Sequence, residues 1–92
     1  MEEKAKELAD ILKVLANENR LLILCALAEK PLTVSEILER VGGITQSAIS
    51  QHLSILRAHG ILDYEKLGQQ VTYHISDHRI GPVMRVLKEQ YC

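Results

Sequence analysis

The chain has 92 residues, 47% of them hydrophobic and 25% charged, with a net charge of −1. That length points to a single domain over residues 1–92 with a thin core, and that composition excludes a disordered chain. No apolar run approaches the roughly 20 residues needed to span a bilayer, and the start Met1-Glu2-Glu3-Lys4 lacks the basic-then-apolar layout of a secretory signal, so a cytoplasmic protein with no membrane partner is expected.

Leu8, Ile11, Leu12 and Leu15 fall at the i, i+3, i+4, i+7 spacing of one helical face, predicting a first helix near residues 4–15. Asn17-Glu18-Asn19 interrupts it and offers caps for a second helix over about 18–29. That second helix is apolar nearly all round, as the buried centre of a domain usually is, and Pro31 closes it. Thr33-Val34-Ser35-Glu36 reads as a capping box for a short third helix marked by Val34, Ile37, Leu38 and Val41. Gly42-Gly43 ends that helix in a tight turn. Thr45 then caps a fourth, whose apolar face is Ile49, Leu53 and Leu56 and whose natural stop is Gly60.

Beyond Gly60 the period changes from helical to alternating. Leu62, Tyr64 and Lys66 alternate with Asp63 and Glu65, and Val71, Tyr73 and Ile75 alternate with Thr72 and His74, with Gly68-Gln69 between them. This is a two-stranded hairpin signal. Ile80, Val83, Met84, Leu87 and Tyr91 return to helical spacing; Asp77 is a candidate cap, although Pro82 would then weaken the first turns. The expected fold is mainly α with a small β-hairpin, in the order ααααββα: a winged helix-turn-helix.

The fourth helix carries the chemistry. Opposite its apolar face stand Gln46, Ser47, Ser50, Gln51 and Ser54, and the only formal charge in residues 44–60 is Arg57. Gln pairs in bidentate fashion with adenine, and Ser serves several base edges or a phosphate. These residues cluster in the first turns, the part of a recognition helix that enters the major groove, and the helix N-terminus supplies N–H groups for a phosphate. The alternative is a polar solvent-facing helix of a small bundle, but such helices usually carry Lys and Glu, and this one does not. Charge distribution agrees: residues 1–39 hold 5 basic and 8 acidic side chains, residues 40–92 hold 6 and 4, so a phosphate-binding surface belongs in the second half. In the hairpin Lys66, Gln69 and Gln70 are candidates for a phosphate or the minor groove, though Asp63 and Glu65 weaken its electrostatic pull.

Leu12-Lys13-Val14-Leu15-Ala16-Asn17-Glu18-Asn19-Arg20 with Ile23-Leu24, then Thr45-Gln46-Ser47-Ala48-Ile49-Ser50-Gln51-His52-Leu53, then Leu56-Arg57 followed by Gly60-Ile61-Leu62, together resemble the ArsR/SmtB family of prokaryotic winged-helix repressors over nearly the whole chain. The resemblance implies a homodimer built from the first and last helices and a double-stranded DNA operator as partner. It also implies DNA contacts from Thr45, Gln46, Ser47, Ser50, Gln51 and His52, and release of DNA on binding an inducer. Many members sense metals. The third helix here has no cysteine, Asp77-His78-Arg79 lacks the Asp-x-His spacing, and Glu89 stands where a histidine would be wanted. His52, His59, His74 and His78 show no ligand spacing either, so no metal and no cofactor are expected.

Cys25, in the second helix, and Cys92, after the last, resemble the layout of the family's dithiol branch, which responds to reactive sulfur species or oxidants by bridging two thiols. On the residues alone, Cys25 reads more readily as an inert core thiol. Cys92, beside a helix C-terminus, has negative surroundings that disfavour the thiolate. Three readings follow: a thiol-switched repressor, a repressor answering a metal or another inducer, and a winged-helix module for protein contacts. An enzyme is not expected, because there is no Gly-rich phosphate loop and no nucleophile–base pair.

Overall fold

Three of the helix starts are written in side chains that accept the N–H groups a helix leaves unpaired. In the computed structural model, which describes residues 1–91, the Asn17 side chain accepts from Arg20 N at 3.1 Å and Thr45 Oγ1 from Ala48 N at 3.1 Å. Thr33 and Glu36 form the reciprocal box: Glu36 N donates to Thr33 Oγ1 at 3.3 Å and Thr33 N to Glu36 Oε1 at 2.9 Å. The elements run α1 (Glu2–Leu15), α2 (Glu18–Leu27), β1 (Leu32–Thr33), α3 (Val34–Val41), α4 (Gln46–Ala58), β2 (Leu62–Leu67), β3 (Gln70–Ile75) and α5 (Ile80–Tyr91). α4 ends at Ala58, and two residues on the chain turns at Gly60, whose φ of +73° only glycine adopts cheaply.

The core joins Ile23 and Leu24 of α2, Ile37 of α3, Ile49, Leu53 and Leu56 of α4, Leu62 of β2 and Met84 of α5, all essentially buried. With neither Phe nor Trp in the chain, branched aliphatic side chains and Met84 fill this space. α2 packs against α3, α4, α5 and β3, and this central place is what its apolar sequence requires. The burial is nevertheless one-sided: Leu22 stays exposed, and Cys25 and Ala26 are half-buried against the core. α1 stands apart, burying only Val14 and Leu15 at its C-terminal end.

Three features depart from the sequence-based expectation. The hairpin gains a third strand, giving an antiparallel sheet of order β1-β3-β2 with Leu32 opposite Tyr73. Two residues are too short to show alternation, and β1 forms because β3 offers an edge and Leu32 buries completely there. α2 ends at Leu27 rather than near residue 29, which releases Glu29 to reach Arg40 of α3 (2.6 Å) and Lys88 of α5. Finally, Asp77 does not cap α5 from the adjoining position. Its backbone oxygen accepts from Ile80 N and Gly81 N, so the helix starts at Ile80 and Pro82 falls in the first turn, where a missing N–H costs nothing.

Candidate nucleic-acid interface

α3, the Gly42-Gly43 turn and α4 make the helix-turn-helix. Ile49, Leu53 and Leu56 anchor α4 to the core, and the 3.6-residue period then turns Gln46, Ser47, Ser50, Gln51 and Ser54 outward. All five are exposed. They line one open concavity with Ile55 as its apolar edge. No acidic residue stands in the first turn of α4, so the positive end of the helix dipole faces solvent uncompensated. Thr45, also exposed, accepts the Ala48 N–H through its hydroxyl oxygen, a cap that fixes the helix start and leaves the hydroxyl proton able to donate outward.

The wing is β2 and β3, in register from Leu62↔Ile75 to Leu67↔Gln70. Gly68, at φ +62°, takes the first position of the two-residue turn as type II′ hairpins require. Lys66, Gln69 and Gln70 are exposed at or near the tip, and Leu67 beside them is 84% exposed. At the wing's base Arg57 has a structural task that no local sequence pattern reveals. The guanidinium lies 4.3 Å from the centroid of the Tyr64 ring and its Nε is 3.4 Å from Asp63 Oδ1. Tyr64 in turn meets Tyr73 edge-on across the strands, centroids 5.5 Å apart. Arg57 therefore ties α4 to the wing while remaining half-exposed. The Tyr64 backbone N–H and then Arg57 hold the Asp63 carboxyl below its ordinary range.

His52 departs from the outward group. It is half-buried, and its Nδ1 accepts from Arg20 Nε of α2 at 3.3 Å. Sequence reasoning overlooked Arg20; the available signal was a single formal charge between Glu18 and Glu29 in an otherwise apolar helix. Cys25 sits on α2 as expected, whereas Cys92, the other half of the expected thiol pair, lies outside the described residues. Among the described residues no group of three His, Cys, Asp or Glu side chains gathers as metal ligands, and no helix is long and apolar enough to cross a membrane.

The family model for the bacterial regulatory protein, arsR family, matches residues 17–64, from the cap of α2 to the wing's first strand. The HTH-type transcriptional regulator YgaV of Escherichia coli K12 is 35% identical over 92 residues, covering all of this chain and 93% of that protein. Among solved structures, reduced HlyU from Vibrio cholerae is 38% identical and superposes with a TM-score of 0.92 over all of this chain and 96% of that one. The transcriptional repressor BigR from Xylella fastidiosa is 32% identical, with a TM-score of 0.89 over all of this chain and 90% of that one. A mainly α winged helix-turn-helix with an outward, acid-free fourth helix, matched along its whole length by such proteins, belongs to the arsR family of bacterial regulatory proteins, which are DNA-binding transcriptional regulators and not enzymes.

Proposed function

We propose that this chain is a cytoplasmic homodimeric repressor that holds operator DNA through α4 and the wing and lets go when Cys25 and Cys92 become bridged. The observation that carries the DNA reading is the exposed face of Gln46, Ser47, Ser50, Gln51 and Ser54, without an acid, on a helix locked to the core. Two such faces on a two-fold dimer meet successive turns of the major groove. Lys66, Gln69, Gln70 and the half-exposed Arg57 add phosphate or minor-groove contacts on either side. The dimer reading rests on the apolar residues that α1 and α5 leave exposed, Leu8, Leu12, Val83 and Val86.

The thiol reading is supported by placement and by likeness. Cys25 lies on the central helix, Cys92 is the residue after Tyr91 in the sequence, and one matched structure is specifically of reduced HlyU. A bond between them ties the core to a dimer helix, and a small shift there changes the separation of the two reading faces. The test is binding to the duplex that the protein selects from a randomised pool. Affinity should fall with salt, and Ser50→Glu should abolish it by putting a carboxylate against the phosphates. Polysulfide treatment should add sulfur, or remove two hydrogens, in the intact mass, weaken binding, and do neither in Cys25→Ser. Unchanged affinity after bridging removes the thiol switch and leaves the repressor.

A further inference from the structure

Arg20 joins three helices at one point. Its backbone N–H fixes the start of α2 through Asn17. Its guanidinium then diverges: Nε donates to His52 Nδ1 of α4 at 3.3 Å, and Nη1 donates to the Val14 carbonyl of α1 at 3.0 Å. That carbonyl belongs to the last turn of α1, where oxygens lack partners within their own helix. Val14 is buried, and Arg20 and His52 are half-buried, so these bonds are partly shielded from competing water.

We propose that Arg20 is a positioning residue that sets the angle of α4 against α1 and so fixes the distance between the two reading faces of the dimer. This rests on the operator-binding dimer described above. Apolar contacts are non-directional and let helices slide over one another; a planar guanidinium with two divergent N–H bonds does not. Lysine at this position keeps the charge but not the fork. The same bond draws the His52 imidazole inward, away from the duplex face occupied by Ser50, Gln51 and Ser54. It requires a neutral ring whose Nδ1 is bare and whose proton sits on Nε2.

Two measurements test this. A long-range proton–nitrogen spectrum of the free protein at about pH 8, above the ordinary imidazole range, should show His52 as the Nε2–H tautomer in wild type and as a mixture in Arg20→Lys. An Nδ1–H tautomer in wild type overturns the proposal and leaves the operator reading standing. Binding is then compared for wild type, Arg20→Lys, His52→Ala and the double variant, well below their melting temperatures. The probes are the duplex that wild type selects from a randomised pool and the same duplex with one base pair inserted between half-sites. Each single substitution should weaken binding to the selected duplex about tenfold. The double variant should be no worse than the poorer single, and the wild-type penalty for the inserted pair should shrink in all three. A double variant whose losses add, or losses equal on both duplexes, overturns the positioning role. A wild type that selects no duplex overturns the operator reading together with this proposal.

Discussion

Asp77 shows how one carboxylate is held in the turn that leads into a helix. Its carboxylate takes two hydrogen bonds from the Arg79 guanidinium, at 3.2 and 3.0 Å, and one from the Arg79 backbone N–H at 2.8 Å. The guanidinium first, and then that N–H, lower its pKa from the ordinary 3.8 to about 2, against a burial that works the other way. Because the folded value is the lower one, the unfolded chain takes up the proton first as pH falls. The stabilisation is therefore complete above about pH 4 and drains away as pH passes down through about 2. A shift of this size corresponds to about 2 kcal/mol, and the exposure of Arg79 (56%) reduces that to about 1 kcal/mol through solvent screening. Asp77→Asn keeps the acceptor for the backbone N–H and loses the charge. Urea unfolding should show it about 1 kcal/mol less stable than wild type at neutral pH, with roughly half that difference left at about pH 3. A difference independent of pH would assign the loss to geometry instead of charge.

The α3 helix is the element most completely written in sequence. Thr33 and Glu36 name its start three residues apart, and both bonds of the box are present. Thr33→Ala should cost about 1 kcal/mol in urea unfolding, and Thr33→Ser only a small part of that. Legibility falls with distance along the chain. The outward face of α4 follows from its period, because burying Ile49, Leu53 and Leu56 leaves no choice for Ser50 and Gln51. The wing follows from alternation and from Gly68. β1 does not, since its pairing depends on Thr72 and Tyr73 some forty residues later. Arg20 and His52 are 32 residues apart, and no local pattern brings them together. The turn of His52 inward was for that reason invisible, and the family resemblance alone had placed it among the groove contacts. Arg57 is intermediate. Its partners Asp63 and Tyr64 are near in sequence, but the bend at Gly60 that brings them under its guanidinium becomes clear only in three dimensions.

Taken whole, the molecule is elongated, 43 × 28 × 21 Å, and α1 carries the largest unmet demand for burial. Its 14 residues make a rod of roughly 21 Å, a length at which an isolated helix is marginal in water. Val14 and Leu15 alone are buried, while Leu8 and Leu12 remain 55% and 52% exposed beside a crevice that Ile80 and Val83 of α5 complete. A second copy laid on this surface covers leucine and valine on both sides and supplies the support that α1 lacks within its own chain. Wild type should therefore sediment as twice 10.4 kDa. Leu12→Glu places a carboxylate in that surface while leaving Ile23, Leu24, Ile49 and Leu53 untouched, so the thermal transition should stay cooperative and circular dichroism should lose only the share of helix due to α1. Separating the subunits also removes the advantage of two linked half-sites, and affinity for a two-site duplex should drop about a hundredfold or more, while affinity for a single half-site stays as it was. A Leu12→Glu protein that remains dimeric and binds the two-site duplex as wild type does would place the subunit contact elsewhere. The exposed leucines of α1 would then have to be explained by something other than a second copy of the chain.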